Sequence, residues 1–591
     1  MSDVHDGGHP MEADKVDPIT LSTVWNSFQS MAREMRHVID RTAQNYLLAQ
    51  IRDMAAGIWD AQGRTIAVPE GETSMFLSQK FTVQYILDKY RDNLYPGDVF
   101  IANDPYKGYC GHLPDWGFFR PIFYNDELVF IALTRGHQLD TGGAFPGGYF
   151  PDGYDIHAEG IIIPPTKIIE RGVERTDVWD LILNNVRWPE GVKIDNYALI
   201  AALSVCERRV TGLLDKYGRD TVMACIEEML DRMETSVRDI ISATPDGTYY
   251  GESATDDDGT TLDENVWVRV EVTVAGDEIT LDFSKSDAQR RGFVNCGYGG
   301  TYSRAIAGCF LFFDPALAGF HNEGSMRPIK VIAPEGNVCN AQYPATVGAS
   351  PVSVGTQTLE ATLVALSRAV PEKSMAGWGR RRGHYLSGRD YRTGERYVQT
   401  TTDADGGTGA VWGYDGFEGA MGMVGLGTIQ RGSTEEIEIR YPWRTINYHF
   451  LPDMSGAGRW RGGSGMLWEV LNLGEDVKAA TGSSDGDLTH PPGVTGGQPG
   501  PLSHMYVRTG DDQRAVRTHR MIEVRHNEIL GKVSGGGGGV GDPAQREPQA
   551  VADDVRDEYV SIEAARDTYK VVVDPLTFAV DQAATAALRG A

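Results

Sequence analysis

The stretch from residue 103 to residue 165 constrains this chain more than any other part of it. It is dense in Gly, Pro, His and Asp, and breakers at that density exclude a helix. Two apolar runs, Trp116–Tyr124 and Glu127–Thr134, cross it as expected strands, each followed by a polar loop. Loops held on a rigid scaffold often carry function, so this is where chemistry is to be sought.

The flanking sequence alternates between helical and strand patterning. Val24, Phe28, Met31, Met35 and Ile39 recur at helical spacing, and the pattern predicts one long helix or two joined ones over Leu21–Trp59. Ile58-Trp59 and Thr65–Val68 read as a hairpin, Thr73–Tyr90 as a helix and Asp98–Ala102 as a strand. Helical patterning returns over Asp195–Ser242, broken at Gly218. Val266, Val268, Val270, Val272 and Val274 alternate on one face before an Ala275-Gly276-Asp277 turn, which predicts an antiparallel hairpin to Phe283. Helices are expected again near Tyr302–Phe313 and Gly355–Ala369. Strand and turn then dominate Gly377–Val540, and Glu558–Leu588 reads as a short helix with a strand. The expected class is α+β, a large mixed multi-layer chain with a helical middle section and a β-rich C-terminal part. The expected divisions are a disordered tail over 1–17, an α/β part over 18–250, a mixed part over 251–376 and a β-rich part over 377–591.

Several functions are disfavoured at the outset. A chain of 591 residues with a net charge of −27 repels nucleic acid and anionic membranes. No apolar run reaches the roughly 18 residues of a membrane span, and the polar N-terminus has no secretory h-region. The six cysteines form no CxxC pair, which points to reduced, buried thiols and a cytoplasmic protein. Gly535–Gly539 lacks the Gly-Lys-Ser/Thr ending of a phosphate loop. No GxGxxG opens a helix after a strand, and no GxSxG elbow is present.

The richest local pattern is Asn103-Asp104-Pro105-Tyr106, then Gly111-His112-Leu113-Pro114-Asp115, then Arg135 to Gly143 with His137 and Asp140. Two strands joined by a hairpin would bring His112, Asp115 and His137 to one end of a sheet. Two imidazoles and a carboxylate make a three-ligand divalent metal site with open positions; the bland alternative is a set of polar loop residues capping strands. Asp104 and Asp140 are candidates for a fourth ligand or for acceptors of an imidazole N–H. His157 and Glu159 are candidate general acid–base groups, or surface-turn residues. Arg380-Arg381-Arg382 and Asp403–Gly407 read either as anion clamps or as solvated strand edges.

These blocks, with Asp17–Leu21, Asp53–Asp60, Asn185-Val186-Arg187, Asp282-Phe283-Ser284, Gly456–Gly463, Gly535–Pro543, Tyr559-Val560-Ser561 and Ala579-Val580-Asp581, resemble the hydantoinase B family along nearly the whole chain. That family includes N-methylhydantoinase B subunits, the C-terminal half of 5-oxoprolinases, caprolactamase beta-type subunits, and subunits of acetone and acetophenone carboxylases. The resemblance implies a manganese-type metal site at His112, Asp115 and His137, with Mn or Zn expected and Fe as a further candidate. It also implies a hydantoinase A-type partner that binds ATP and Mg, in a hetero-oligomer such as (αβ)2. The implied function is ATP-dependent opening of a cyclic amide, with ATP-dependent ketone carboxylation and a non-catalytic scaffold with a structural metal as alternatives. Where many members carry a histidine, this chain has Val68-Pro69-Glu70-Gly71-Glu72-Thr73, so Glu70 or Glu72 is the available substitute. Met421–Ser433 also lacks an Asn-rich pattern common in hydantoinases.

Overall fold

The first helix, Pro18–Thr42, starts where Asp17 accepts a hydrogen bond from the Thr20 N–H at 2.8 Å, with Pro18 at the first helical position. The computed structural model describes residues 16–68, 73–380, 382–401, 406–420, 422–425 and 428–590. Almost all of the expected N-terminal tail, Glu70 and Glu72, and Asp403 and Asp405 fall outside them.

Seven antiparallel strands form the first sheet: β1 (Met54–Asp60), β2 (Thr65–Ala67), β3 (Val99–Ala102), β4 (Asp115–Tyr124), β5 (Glu127–His137), β6 (Thr166–Glu170) and β7 (Val173–Glu174). Their order is β2-β1-β5-β4-β3-β6-β7. Side chains alternate across its two faces, and both faces are covered. Met54, Ala56, Ile101, Trp116 and Phe118 face helices Pro18–Thr42 and Pro189–Tyr217. Ala55, Phe100, Phe119, Ile131 and Leu133 face a second core shared with Phe76, Val83 and the valines of the next sheet. Burial on both sides explains why these strands read as continuous apolar runs.

The expected long helix over Leu21–Trp59 is corrected here. The helix ends at Thr42, Leu47–Ile51 forms one wide turn, and Arg52 takes φ 62° before β1 begins. Met54-Ala55-Ala56 suits a helix locally, but β1 pairs with β5 over seven consecutive residues and all seven are buried. Tertiary burial overrides the local preference.

The second sheet contains β8 (Gly247–Thr255), β9 (Val266–Ala275), β10 (Glu278–Asp282) and β11 (Ile329–Ile332), in the order β11-β10-β9-β8. The five expected valines of β9 are all buried and the residues between them are half-exposed. Helix Val354–Ala369 lies across β8 and β9 and packs on helix Tyr298–Phe312.

The C-terminal region holds two further sheets. One contains β12 (Arg382–Arg389), β13 (Arg396–Thr401), β16 (Val477–Ser484) and β19 (Met521–Val524). The other contains β14 (Trp443–Phe450), β15 (Met466–Asn472), β17 (His504–Thr509), β18 (Asp512–Val516) and β20 (Ile529–Ser534). Their shared core includes Leu386, Ala479, Trp468, Val470, Val507 and Leu530. Leu47, Ile51, Phe145 and Tyr149 insert into the same core and so tie this region to the breaker-rich block. The tail forms helices Ile562–Asp567 and Gln582–Arg589; the strand expected there is reduced to a single bridge between Val573 and Val580.

Gly535–Gly539 threads between backbones. A Cβ on Gly535 would stand 2.0 Å from the Pro501 carbonyl, and one on Gly537 2.1 Å from that of Thr408. Close backbone approach is therefore what demands glycine there. All six cysteines are buried and unpaired. No helix among the described residues is long and apolar enough to cross a membrane.

Candidate metal centre

The β4–β5 hairpin register sets Asp115 opposite His137 and Trp116 opposite Gly136. His112 lies three residues before Asp115 on the entering loop, where the Asp115 N–H donates to the His112 carbonyl at 3.2 Å. One ligand-type atom from each of His112, Asp115 and His137 lies within 4.8 Å of the others, and all three residues are buried.

The hydrogen bonds around this triad decide which atoms point inward. His112 Nδ1 donates to the Gly348 carbonyl at 2.8 Å, so the neutral ring presents the lone pair of Nε2. That nitrogen lies 3.2 Å from Asp115 Oδ1. His137 Nε2 meets the Tyr385 hydroxyl at 3.0 Å, which leaves Nδ1 toward the same carboxylate oxygen, also at 3.2 Å. Asp115 Oδ1 is buried and has no hydrogen-bond partner. A carboxylate oxygen facing two imidazole nitrogens without a bridging proton is repulsive, and a divalent cation reverses that sign. The donor set therefore fits a metal of the His/His/carboxylate kind.

Arg135 fixes the other side of Asp115. It is fully buried and donates through Nη2 to Asp115 Oδ2 at 3.0 Å, and through Nη1 to the Met75 carbonyl at 2.8 Å. Burial pushes the Asp115 carboxyl up, but with a proton on the His112 ring in place of a cation, attraction to His112 and to Arg135 outweighs burial and holds the group well below the usual carboxylate range.

The triad lines a cavity of about 50 Å³, room for a metal ion and a few water-sized groups. Asp53, Tyr149, Arg304, Ser350 and Tyr385 complete much of its wall. Asp53 arrives through β1–β5 pairing: the His137 N–H donates to the Asp53 carbonyl at 3.1 Å, and Asp53 Oδ2 lies 3.6 Å from His137 Nδ1. The rings of Tyr149 and Tyr385 stack at 4.2 Å. Gly147, at φ 85°, passes directly over Tyr385; a Cβ there would stand 2.4 Å from the ring.

The remaining candidate residues divide by position. Asp104 accepts from the N–H groups of Tyr106 at 2.8 Å and Lys107 at 3.0 Å, closing its own turn. Asp140 binds Arg187 through backbone and side chain. Neither orients an imidazole; Gly348 and Tyr385 occupy those positions. His157 is exposed and meets the Tyr343 hydroxyl at 2.9 Å, away from the cavity wall. Glu159 is fully buried, and its Oε1 accepts the Val347 and Gly348 N–H groups, each at 2.9 Å. The Gly348 peptide thus joins Glu159 to His112. Burial raises the Glu159 carboxyl to about 8, against the lowering effect of the two N–H groups. Arg380 is buried and pairs with Glu360 at 2.9 Å, so the arginine run is at this residue an internal ion pair.

Sequence reasoning missed Tyr385, Arg304 and the Gly348 carbonyl. Tyr385 and Gly348 lie 248 and 236 residues from the histidines they contact, and no local pattern marks them. Asp53 lies inside a recognised block, but only strand pairing gives it a place beside His137.

A family model described as hydantoinase B/oxoprolinase matches residues 17–543. The caprolactamase subunit beta of Pseudomonas jessenii is 33% identical, over 98% of this chain and 99% of that protein. The crystal structure of the ATP-dependent caprolactamase from Pseudomonas jessenii superposes with a TM-score of 0.89 at 31% identity, covering 98% of this chain and 100% of that one. A nucleotide-free acetone carboxylase structure gives a TM-score of 0.88 at 21% identity, over 97% of this chain and 82% of that one, a likeness of fold. The relatives so named are enzymes. The chain belongs to the hydantoinase B/oxoprolinase family.

Proposed function

We propose that this chain is the metal-binding, B-type subunit of an ATP-dependent cyclic amide hydrolase, acting with a separate ATP-handling subunit in the cytoplasm. The observation that carries this reading is the buried convergence of His112 Nε2, His137 Nδ1 and the unpartnered Asp115 Oδ1 on one cavity. The relationship to a caprolactamase beta subunit supports the lactam or hydantoin class of substrate and the need for an alpha-type partner. The absence of a phosphate-loop motif from the sequence is consistent with that division of labour.

His112, Asp115 and His137 would hold the metal. When bound, it would supply Lewis-acid polarisation for attack of water on a carbonyl carbon. The Gly348 carbonyl fixes the His112 tautomer so that Nε2 keeps its lone pair, and the Tyr385 hydroxyl holds the His137 ring with Nδ1 turned inward. Arg135 keeps Asp115 ionised. The Tyr149–Tyr385 stack walls the cavity and limits bulk water. Buried Arg304 adds a fixed positive charge on the facing wall, suited to an oxygen that gains negative charge.

The test is product formation from lactams and hydantoins with the partner subunit, ATP and added Mn or Zn. ATP-dependent ring opening that is independent of bicarbonate is expected. Strict dependence on bicarbonate would replace this reading with ketone carboxylation. Full activity in a His112→Ala, His137→Ala variant would remove the metal from it.

A further inference from the structure

A second cavity, of about 680 Å³, opens beside the metal centre. Its charged lining is Asp140, Arg187, Arg389, Glu395, Arg396 and Arg440. Four cations against two anions give a locally positive cleft on a chain whose net charge is −27.

Two of these cations are opposed. Arg389 on β12 and Arg396 on β13 are direct cross-strand partners in the antiparallel register, and both are exposed. Like charges directly opposite each other destabilise a hairpin. Arg187 pairs with Asp140 and Arg440 with Glu436. Among the described residues Arg389 donates only to the Gly394 carbonyl, and Arg396 pairs with no carboxylate. Among the described residues no carboxylate ion pair offsets this repulsion at either arginine.

The cleft also adjoins the metal cavity along shared elements. Tyr385, Ser387 and Arg389 share one face of β12, and their side chains pass from buried to half-buried to exposed. Tyr385 lines the metal cavity, while Ser387 and Arg389 line the cleft. At the usual rise per residue the two ends are about 13 Å apart. The opposite wall follows the chain from His137 to Leu139 and Asp140.

We propose that this cleft binds the phosphate group of a small organic phosphate at the approach to the metal centre, with Arg389 and Arg396 as the paired ligands. Two guanidinium groups can each offer a forked pair of donors to phosphate oxygens, and a bound dianion removes the repulsion between them. The cavity has room beyond a phosphate group, and Trp188, 42% exposed on its wall, offers an apolar surface to the organic part. The site depends neither on the metal nor on the reaction proposed above.

The experiment is calorimetric titration of the full chain with phenyl phosphate and with inorganic phosphate. Phenyl phosphate binds the wild type and the His112→Ala, His137→Ala variant alike, and binds an Arg389→Gln, Arg396→Gln variant at least tenfold more weakly. Inorganic phosphate binds the wild type more weakly than the ester does. No binding of the ester at about 10 mM, equal affinity in the arginine variant, or loss in the histidine variant would overturn the proposal. Equal affinity for the two ligands would overturn the organic part. Thermal melting supplies a check independent of ligand: Arg396→Gln alone raises the melting temperature by removing the opposed charge. A fall instead would make Arg396 a structural group and overturn its assignment.

Discussion

Asp115 and His137 are register partners at the end of the β4–β5 hairpin, and Asp115 Oδ1 stands 3.2 Å from His137 Nδ1. Their separation is set by strand pairing, the most rigid relation a backbone offers. His112 enters the same point from the loop before β4. Two of the three candidate ligand positions therefore rest on sheet geometry and not on loop conformation, which favours a site whose shape does not depend on a bound ion.

Replacing both histidines tests that site directly. Elemental analysis of the purified chain is expected to find near-stoichiometric divalent metal in the wild type and almost none in a His112→Ala, His137→Ala variant. Metal retained at wild-type levels by the variant would place it elsewhere.

Tyr385→Phe removes the oxygen that meets His137 Nε2 and keeps the ring stacked on Tyr149. Loss of such an outer contact typically lowers metal affinity by about 10–100-fold. Competition with a chromogenic chelator is expected to show that loss with an unchanged melting curve for the metal-free chain. Unchanged affinity would mean that Tyr385 only packs.

Glu159 makes stability depend on pH. Folded Glu159 keeps its proton up to about pH 8 because burial penalises the charged form. The unfolded side chain releases it near about 4.3. Its contribution is fully present below the unfolded value and is lost as pH rises through the folded one. Denaturant unfolding at pH 5 and at pH 8 is expected to show the wild type weaker at the higher pH. Glu159→Gln, which retains an acceptor for the Val347 and Gly348 N–H groups, should flatten that difference. An undiminished slope in the variant would assign the effect to another group.

Arg135→Met leaves Asp115 buried without its fully buried cation. Breaking a buried pair from one side costs about 3–5 kcal/mol. Denaturant unfolding of the metal-free chain should show a loss of that order. Added Zn should restore part of it, because the metal neutralises the stranded carboxylate. A loss below about 1 kcal/mol would mean that the pair is solvated.

Much of the hairpin site is legible in the amino-acid sequence. The apolar runs after Asp115 and before His137 can only be strands, and a short turn between them forces their far ends together. The α+β class follows from the same alternation of patterns, and period alone places the five valines of β9. The helix expected over Leu21–Trp59 is too long because Met54-Ala55-Ala56 carries no local mark of the β5 strand that captures it. Proximity in sequence suggests Asp104 and Asp140 as partners of the His112, Asp115 and His137 cluster, yet their carboxylates are taken by Tyr106, Lys107 and Arg187.

The sequence by itself determined the hairpin and the convergence of His112, Asp115 and His137, because strand periodicity and short turns are local properties, and its ordered motif blocks carried the resemblance to the family. Only the tertiary structure decided what orients those ligands. Gly348, Tyr385 and Glu159 reach the site through the packing of three separate sheets and their connecting loops. The opposed pair Arg389 and Arg396 likewise becomes a cleft only when β12 lies against the loop after His137. Contacts across more than two hundred residues are chosen by burial and shape, and neither is written in any local stretch of the chain.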